Sequence, residues 1–170
     1  MIFKLKSLGR IENYERVPDR EFGLDEAVFD PYGGILKIKE SVFIAANSGA
    51  PRARFTIAHE IGHIMLGHNR IRHRRLDYDA KSATSPVLAD EMQANMFAGA
   101  FLAPYHLSGI TLSSSIDELS ERFQISSKAA EIRLPELQRL YRIENKIPRP
   151  LPASVTKFLE ENRNAGRKPG

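Results

Sequence analysis

Two long segments of the chain repeat apolar residues at the spacing of an α-helix. The apolar stripe of the first segment consists of Phe55, Ala58, Ile61 and Met65. The second segment begins with Ser85 and Pro86, an N-cap residue followed by proline at the first helical position, and ends before Pro104. Each segment therefore predicts a helix with an apolar side that packs against the rest of the protein.

Shorter patterns precede the first of these helices. Residues 35–39 and 41–46 are β-branched and partly alternating, which predicts two strands joined by a tight connection. A short helix is expected near residues 19–27. Because an edge strand can hold an extended peptide by main-chain pairing, the second strand is a candidate substrate strand. Its residues are Val42, Phe43, Ile44, Ala45 and Ala46.

The C-terminal part predicts two further long helices. Ser115 and Glu118 have the spacing of a capping box, and they open a helix with an apolar stripe. That stripe consists of Ile116, Leu119 and Phe123. A second helix is expected from about residue 127, with Pro135 shortening or bending it. Residues 147–152 predict an extended, proline-rich connector, followed by a short helix over 154–162 and a disordered tail over 164–170.

These elements together predict an α+β protein, mostly helical, with a small antiparallel or mixed sheet beside the first long helix. We expect three parts along the chain. Residues 1–110 carry the candidate chemistry, and residues 111–145 form a helix-turn-helix-like helical region packed on them. Residues 146–170 form the connector, the short helix and the tail.

Composition agrees with one intracellular globular domain. The 170 residues are 42% apolar and 27% charged, which is enough chain for one substantial core. There are no cysteines, so the fold has no disulfides and a metal cannot be held by thiolates. Neither a signal peptide nor a membrane-spanning run is visible in the sequence, so we expect a cytoplasmic protein without a membrane partner.

The net charge of +4 is modest, and a basic run accounts for much of it. The run lies between the two long helices and contains Arg70, Arg72, His73, Arg74 and Arg75. A solvated loop is the favoured interpretation, and a docking surface for an acidic partner is the alternative. Direct DNA binding is a third interpretation, disfavoured because Pro135 interrupts the helix that would read DNA.

The strongest chemical signal is the motif His59-Glu60-Ile61-Gly62-His63 on the first long helix. Residues four apart on a helix share a face, so His59 and His63 present two imidazoles one turn apart, as metal ligands should. Glu60 lies beside them and can take the proton of a zinc-activated water. Two core histidines satisfied by hydrogen bonds would be the structural alternative, but that would leave Glu60 without a purpose on a half-buried helix.

A catalytic zinc site needs a third protein ligand. A third histidine six residues after the second, as in metzincins, is excluded because Asn69 occupies that position and His68 comes one residue early. Glu91 on the second long helix is the stronger candidate, with Asn95 one turn later to orient a ligand imidazole. A solvated Glu91 near the helix N-terminus, or Asp90 as the ligand, remain the alternatives.

The expected reaction also needs a group that stabilises the developing oxyanion. The residues near the predicted site that can donate a hydrogen bond are Tyr78, His68, Tyr105 and His106. The sequence does not choose among them.

The chain resembles the ImmA/IrrE family of metallopeptidases in three segments. Residues 54–63 resemble its first signature, and residues 91–98 with Leu102 and Pro104 resemble its second. Residues 116–134 look like the helix-turn-helix-like stretch that follows the catalytic part. The resemblance implies a gluzincin-like fold, one zinc per chain held by His59, His63 and Glu91, and Glu60 as the catalytic carboxylate. The chain looks like the short, stand-alone branch of the family.

The resemblance also implies a biological role. We expect a zinc-dependent endopeptidase that cleaves a helix-turn-helix transcriptional repressor and thereby relieves repression after a stress or mobile-element signal. One alternative is a non-enzymatic regulator that binds a repressor or DNA. Another is a toxin-like peptidase of a toxin–antitoxin pair, which would share the site but differ in its target.

Overall fold

The structure is a computed structural model that describes residues 2–68 and 85–165. Those residues form a mostly helical α+β fold with one small sheet, as the sequence predicts. In chain order the elements are α1 (Ile2–Ser7), β1 (Asn13–Val17), α2 (Asp19–Phe22), β2 (Ala27–Asp30), β3 (Ile35–Lys39), α3 (Glu40–Asn47), α4 (Pro51–Leu66), α5 (Ser85–Leu102), α6 (Tyr105–Ser108), α7 (Ile116–Phe123), α8 (Ser127–Glu144) and α9 (Ala153–Ala165).

The sheet is mixed, with the strand order β1-β3-β2. The central strand β3 was predicted from its alternation, and its Leu36 and Ile38 are fully buried while the residues between them are half-buried. Strand β3 pairs with β1 in parallel and with β2 in antiparallel orientation. The sheet packs beside α4, which β2 contacts directly.

The second predicted strand is wrong, because residues 42–46 lie in helix α3. Both edges of β3 are occupied by β1 and β2, so this segment has no place as a strand directly beside β3. Val42, Phe43 and Ala46 pack against the core, at positions that share one side of a helix. Short apolar runs are ambiguous between strand and helix, and here the tertiary contacts select the helix. Residues 42–46 therefore do not form the predicted substrate strand.

The predicted short helix over residues 19–27 is also shorter than expected. Helix α2 ends at Phe22 because Gly23 adopts a left-handed φ of 62°, which turns the chain away from the helix. Ala27 is instead the first residue of β2 and is fully buried.

Buried apolar side chains form two clusters. The first, which we call the N-terminal core, lies between the sheet, α1 and α4 and consists of Leu5, Ile11, Ala27, Leu36, Ile38, Ile57, Ile61 and Ile64. The second, the C-terminal core, lies between the end of α5, α7 and α8 and consists of Ala103, Ile110, Leu119, Ile125, Ala130, Leu134 and Leu137.

Helices α7 and α8 form a hairpin around the C-terminal core. The side chain of Ser115 accepts a hydrogen bond from the backbone N–H of Glu118 at 3.1 Å, as the capping box predicts. Of the two predicted effects of Pro135, shortening is wrong, because α8 continues past it to Glu144. A proline removes one backbone donor, and the burial of Leu134 and Leu137 on either side holds the helix in place.

Two arginines connect this hairpin to the rest of the protein. Arg54 of α4 donates hydrogen bonds to the backbone carbonyls of Phe123 and Gln124, at 2.8 and 2.9 Å. Arg133 of α8 is buried and donates to the carbonyl of Ala103 at 3.1 Å. The hairpin is thus attached both to α4 and to the segment that ends α5.

After α8, residues 147–152 form a connector without regular structure, and α9 follows with its described side chains exposed. Helix α9 includes residues 164 and 165, the first two residues of the predicted tail. The rest of that tail, residues 166–170, lies outside the described residues. Along residues 2–68 and 85–165, every helix is too short or too polar to cross a bilayer.

Candidate metal centre

Helix α4 holds the two histidines of the predicted motif on one face. Pro51 occupies the start of the helix, and Gly67, with φ of 71°, ends it in a left-handed conformation. His59 and His63 are buried, with relative exposures of 2% and 3%. Their Nε2 atoms lie 3.0 Å apart, so the Nε2 atom of each ring faces the same point.

Glu91 of α5 reaches the same place from the neighbouring helix. One carboxylate oxygen lies 3.2 Å from Nε2 of His59 and the other lies 3.4 Å from Nε2 of His63. Burial alone raises the pKa of the Glu91 carboxyl, but hydrogen bonds and charge interactions with the two histidines outweigh it and hold that pKa well below its ordinary value. The group is therefore an ionised carboxylate at neutral pH.

The close approach of α4 and α5 makes this arrangement possible. A Cβ atom added to Gly62 would lie 3.1 Å from both the Cα and the carbonyl oxygen of Ala94, so only glycine fits here without a shift. Ala94 and Ala98 are fully buried, and their small side chains leave room for α4 to approach. Backbone contact at Gly62 brings Glu91, three residues before Ala94, within reach of the histidines.

The outward nitrogen of each imidazole has its own polar partner. Nδ1 of His59 lies 2.9 Å from the amide oxygen of Asn95, the residue predicted to orient a ligand. Since that oxygen can only accept, His59 donates from Nδ1, and a neutral His59 then carries on Nε2 the lone pair that a metal would bind. Nδ1 of His63 lies 2.8 Å from Nδ1 of His68.

The donor set suits a divalent metal. Within the described residues, His59, His63 and Glu91 form the one group of metal-ligating side chains whose ligand atoms all lie within 4.8 Å of one another. Two imidazole nitrogens and one carboxylate are a common ligand set of catalytic zinc sites. The bond of His59 to Asn95 also presents Nε2 of His59 as a ligand atom, so the residues fit such an ion.

Comparison with known families agrees with this geometry. A family profile described as the IrrE N-terminal-like domain matches residues 17–135, which include both helices of the candidate metal centre. The chain belongs to the Peptidase_M78 family. This assignment confirms the resemblance to ImmA/IrrE proteins and makes the chain a metallopeptidase of that type. No match was found among curated protein sequences.

Glu60 follows His59 on α4 and is almost completely buried, with a relative exposure of 2%. Burying a carboxyl group costs free energy unless its surroundings compensate for the lost water. Its position in this metallopeptidase, about 100° around the helix from His59, is consistent with a functional carboxylate beside the ligands.

The predicted oxyanion stabilisers fall in different places. His68 contacts the Nδ1 side of His63 and not the side that carries the ligand atoms. Tyr105 donates a hydrogen bond to Glu144, which raises the pKa of its hydroxyl to about 12. His106 is exposed on α6. Tyr78 lies outside the described residues, as does the basic run over residues 70–75.

Asp90, the alternative ligand, is not part of the cluster of ligand atoms. Its carboxylate lies 3.7 Å from Nε2 of His68, on the far side of His63. Sequence reasoning missed the contact between His63 and His68. The signal was Gly67, since a glycine that ends a helix turns the next residue back toward the last turn.

Proposed function

We propose that this chain is a zinc-dependent endopeptidase, with one zinc per chain held by His59, His63 and Glu91. The observation that carries the proposal is the cluster of two buried imidazoles and one half-buried carboxylate on two closely packed helices. The family assignment supports the reaction class independently of that geometry.

Zinc in such a site supplies Lewis-acid chemistry, which polarises a peptide carbonyl and makes a water acidic near neutral pH. Glu60 accepts the proton of the attacking water and returns it to the leaving amine. Asn95 holds the ring of His59 through its Nδ1 atom, so that Nε2 keeps its direction.

The proposed substrate is a helix-turn-helix transcriptional repressor in the cytoplasm, whose cleavage relieves repression. Support for this part comes from the family resemblance rather than from the geometry of the site. A toxin-like peptidase would use the same metal site on a different protein target, so a cleavage experiment must distinguish the two.

The metal is tested by elemental analysis of the purified full chain. Wild type should contain about one zinc per chain. The Glu60→Gln variant should keep that zinc because Glu60 is not a proposed ligand, whereas Glu91→Gln should lose it because a neutral amide replaces the ionised carboxylate. A wild-type chain that takes up no zinc after its addition would overturn the proposal.

The substrate is tested by a proteome-wide survey of new protein N-termini in cells producing wild type or Glu60→Gln. New N-termini inside helix-turn-helix repressors, present only with wild type, would support the proposed target. Essential proteins cleaved instead would favour the toxin-like alternative. Cleavage retained by Glu60→Gln would exclude the proposed mechanism, and salt-sensitive DNA binding that survives this substitution would favour a non-enzymatic regulator.

A further inference from the structure

His68 lies just beyond the end of α4, in a turn that returns it to the last helical residues. Gly67 adopts a left-handed φ of 71°, and its N–H contacts the carbonyl of Ile64 at 3.4 Å. The backbone N–H of His68 donates to the carbonyl of His63 at 3.0 Å. This pair of bonds is the Schellman arrangement that often ends helices. It places the side chain of His68 beside the ring of His63, although five residues separate them.

The two rings meet at their Nδ1 atoms, which lie 2.8 Å apart. The ring planes are inclined by 63°, with centroids 5.0 Å apart. Both side chains are buried, with relative exposures of 3% for His63 and 9% for His68. At this distance the two Nδ1 atoms can share one hydrogen bond, with one ring as the donor and the other as the acceptor.

The position of the proton in that hydrogen bond decides whether His63 can bind a metal. If a neutral His63 carries it on Nδ1, the lone pair of Nε2 is available to a metal held together with His59 and Glu91. If His68 carries it, a neutral His63 must hold its own proton on Nε2, at the position where the metal would bind. Metal binding through Nε2 therefore requires His68 to accept a hydrogen bond from His63.

The other nitrogen of His68 has a partner that favours this arrangement. Nε2 of His68 lies 3.3 Å from the amide oxygen of Gln93 on α5. An amide oxygen only accepts hydrogen bonds, so His68 donates from Nε2 and keeps Nδ1 free to accept. Asp90 lies 3.7 Å from the same nitrogen and adds a negative charge on that side.

We infer that His68 is a positioning residue for His63, which orients the ligand ring and keeps its proton on Nδ1. This inference rests on the proposed metal site formed by His59, His63 and Glu91. His68 performs for His63 the task that Asn95 performs for His59, but it reaches the ligand through a helix-ending turn instead of a second helix. Such partners fix the tautomer of a ligand histidine and raise its basicity.

The first test compares two substitutions of similar size, His68→Leu and His68→Asn. The amide oxygen of asparagine can take the place of Nδ1 as an acceptor, whereas leucine has no acceptor. Zinc affinity, measured on the full chain by competition with a chelating dye, should fall about 10- to 100-fold in His68→Leu. His68→Asn should recover most of that loss. Equal affinities for wild type and His68→Leu would overturn the inference, and so would equal losses in both variants.

The second test needs no substitution and remains informative if His68→Leu does not fold. In ¹⁵N-labelled, zinc-loaded wild type, NMR should show a nitrogen–nitrogen coupling between Nδ1 of His63 and Nδ1 of His68, with the proton attached to His63. A proton attached to His68 Nδ1, or two uncoupled rings, would overturn the inference. A wild-type chain that binds no zinc would instead refute the proposed function, so the two failures are told apart by measuring zinc content before the NMR experiment.

Discussion

Two pairs of helices in this protein are held together in different ways. Helices α4 and α5 approach so closely that the backbone of Ala94 occupies the space beside Gly62, and polar side chains fill the region between their ligand-bearing faces. Helices α7 and α8 instead enclose leucines and other apolar residues of the C-terminal core. The first pair thus serves to hold ligand atoms at short distances, and the second provides a compact hydrophobic cluster.

The two pairs also differ in their local signals. Ser115 and Ser126 cap α7 and α8 with side-chain hydrogen bonds, so the sequence marks where each helix begins. Helix α4 begins with Pro51 after Ala50, which makes no side-chain cap bond. The α7–α8 hairpin therefore gains stability from local interactions, whereas the α4–α5 pair depends more on its packing.

The largest expected effect on stability comes from removing the connection between the hairpin and α5. Arg133→Met keeps an unbranched side chain but leaves the carbonyl of Ala103 without its charged donor. We expect a loss of about 1.5–3 kcal/mol in the free energy of unfolding, measured by urea denaturation, with zinc affinity unchanged. The exposed Arg139→Met on the same helix is the control and should stay within about 0.5 kcal/mol of wild type. A weaker zinc site in Arg133→Met would show that the hairpin and the metal centre are coupled.

A smaller effect on stability, joined to an effect on the metal site, is expected for Gly62→Ala. The added methyl group meets the backbone of Ala94 at 3.1 Å, and such overpacking lowers the free energy of unfolding by about 1–3 kcal/mol. The better helix propensity of alanine offsets up to about 1 kcal/mol of that loss. Separation of the helices should also weaken zinc binding, because Glu91 moves away with α5. Urea denaturation and dye competition measure the two effects.

Gly99→Ala on α5 is the matched control, since a Cβ there has no neighbouring atom within 4 Å. It should stabilise the chain by up to about 1 kcal/mol and leave zinc affinity unchanged. If both alanine variants behave alike, close packing at Gly62 is not what brings Glu91 to the histidines.

The smallest expected effect concerns the cap of α8. Ser126 accepts a hydrogen bond from the N–H of Ala129 at 3.1 Å, and Ser126→Ala should cost about 1 kcal/mol in the free energy of unfolding. The adjacent, exposed Ser127→Ala is the control and should change that quantity by less than about 0.5 kcal/mol. Equal costs for the two serines would contradict the assignment of the cap.

Local patterns predicted the elements whose signals lie within a few residues. The long helices α4 and α5, the cap of α7 and strand β3 all followed from spacing, capping residues or alternation. Residues 42–46 and 27–30 did not, because short apolar runs fit either a helix or a strand until their neighbours are known. Strand β2 was not predicted, and the expected helix over residues 19–27 reached only its first residue, Ala27.

For the candidate site, the sequence alone determined that His59 and His63 share a helical face with Glu60 beside them, because helix geometry sets that relation locally. It also placed Glu91 and Asn95 one turn apart on a second helix. Only the tertiary structure decided that Glu91 and not Asp90 joins the histidines, since that depends on how α4 and α5 pack at Gly62. The contact of His68 with His63 likewise depends on the direction in which the chain turns at Gly67, a relation that short-range periodicity does not contain.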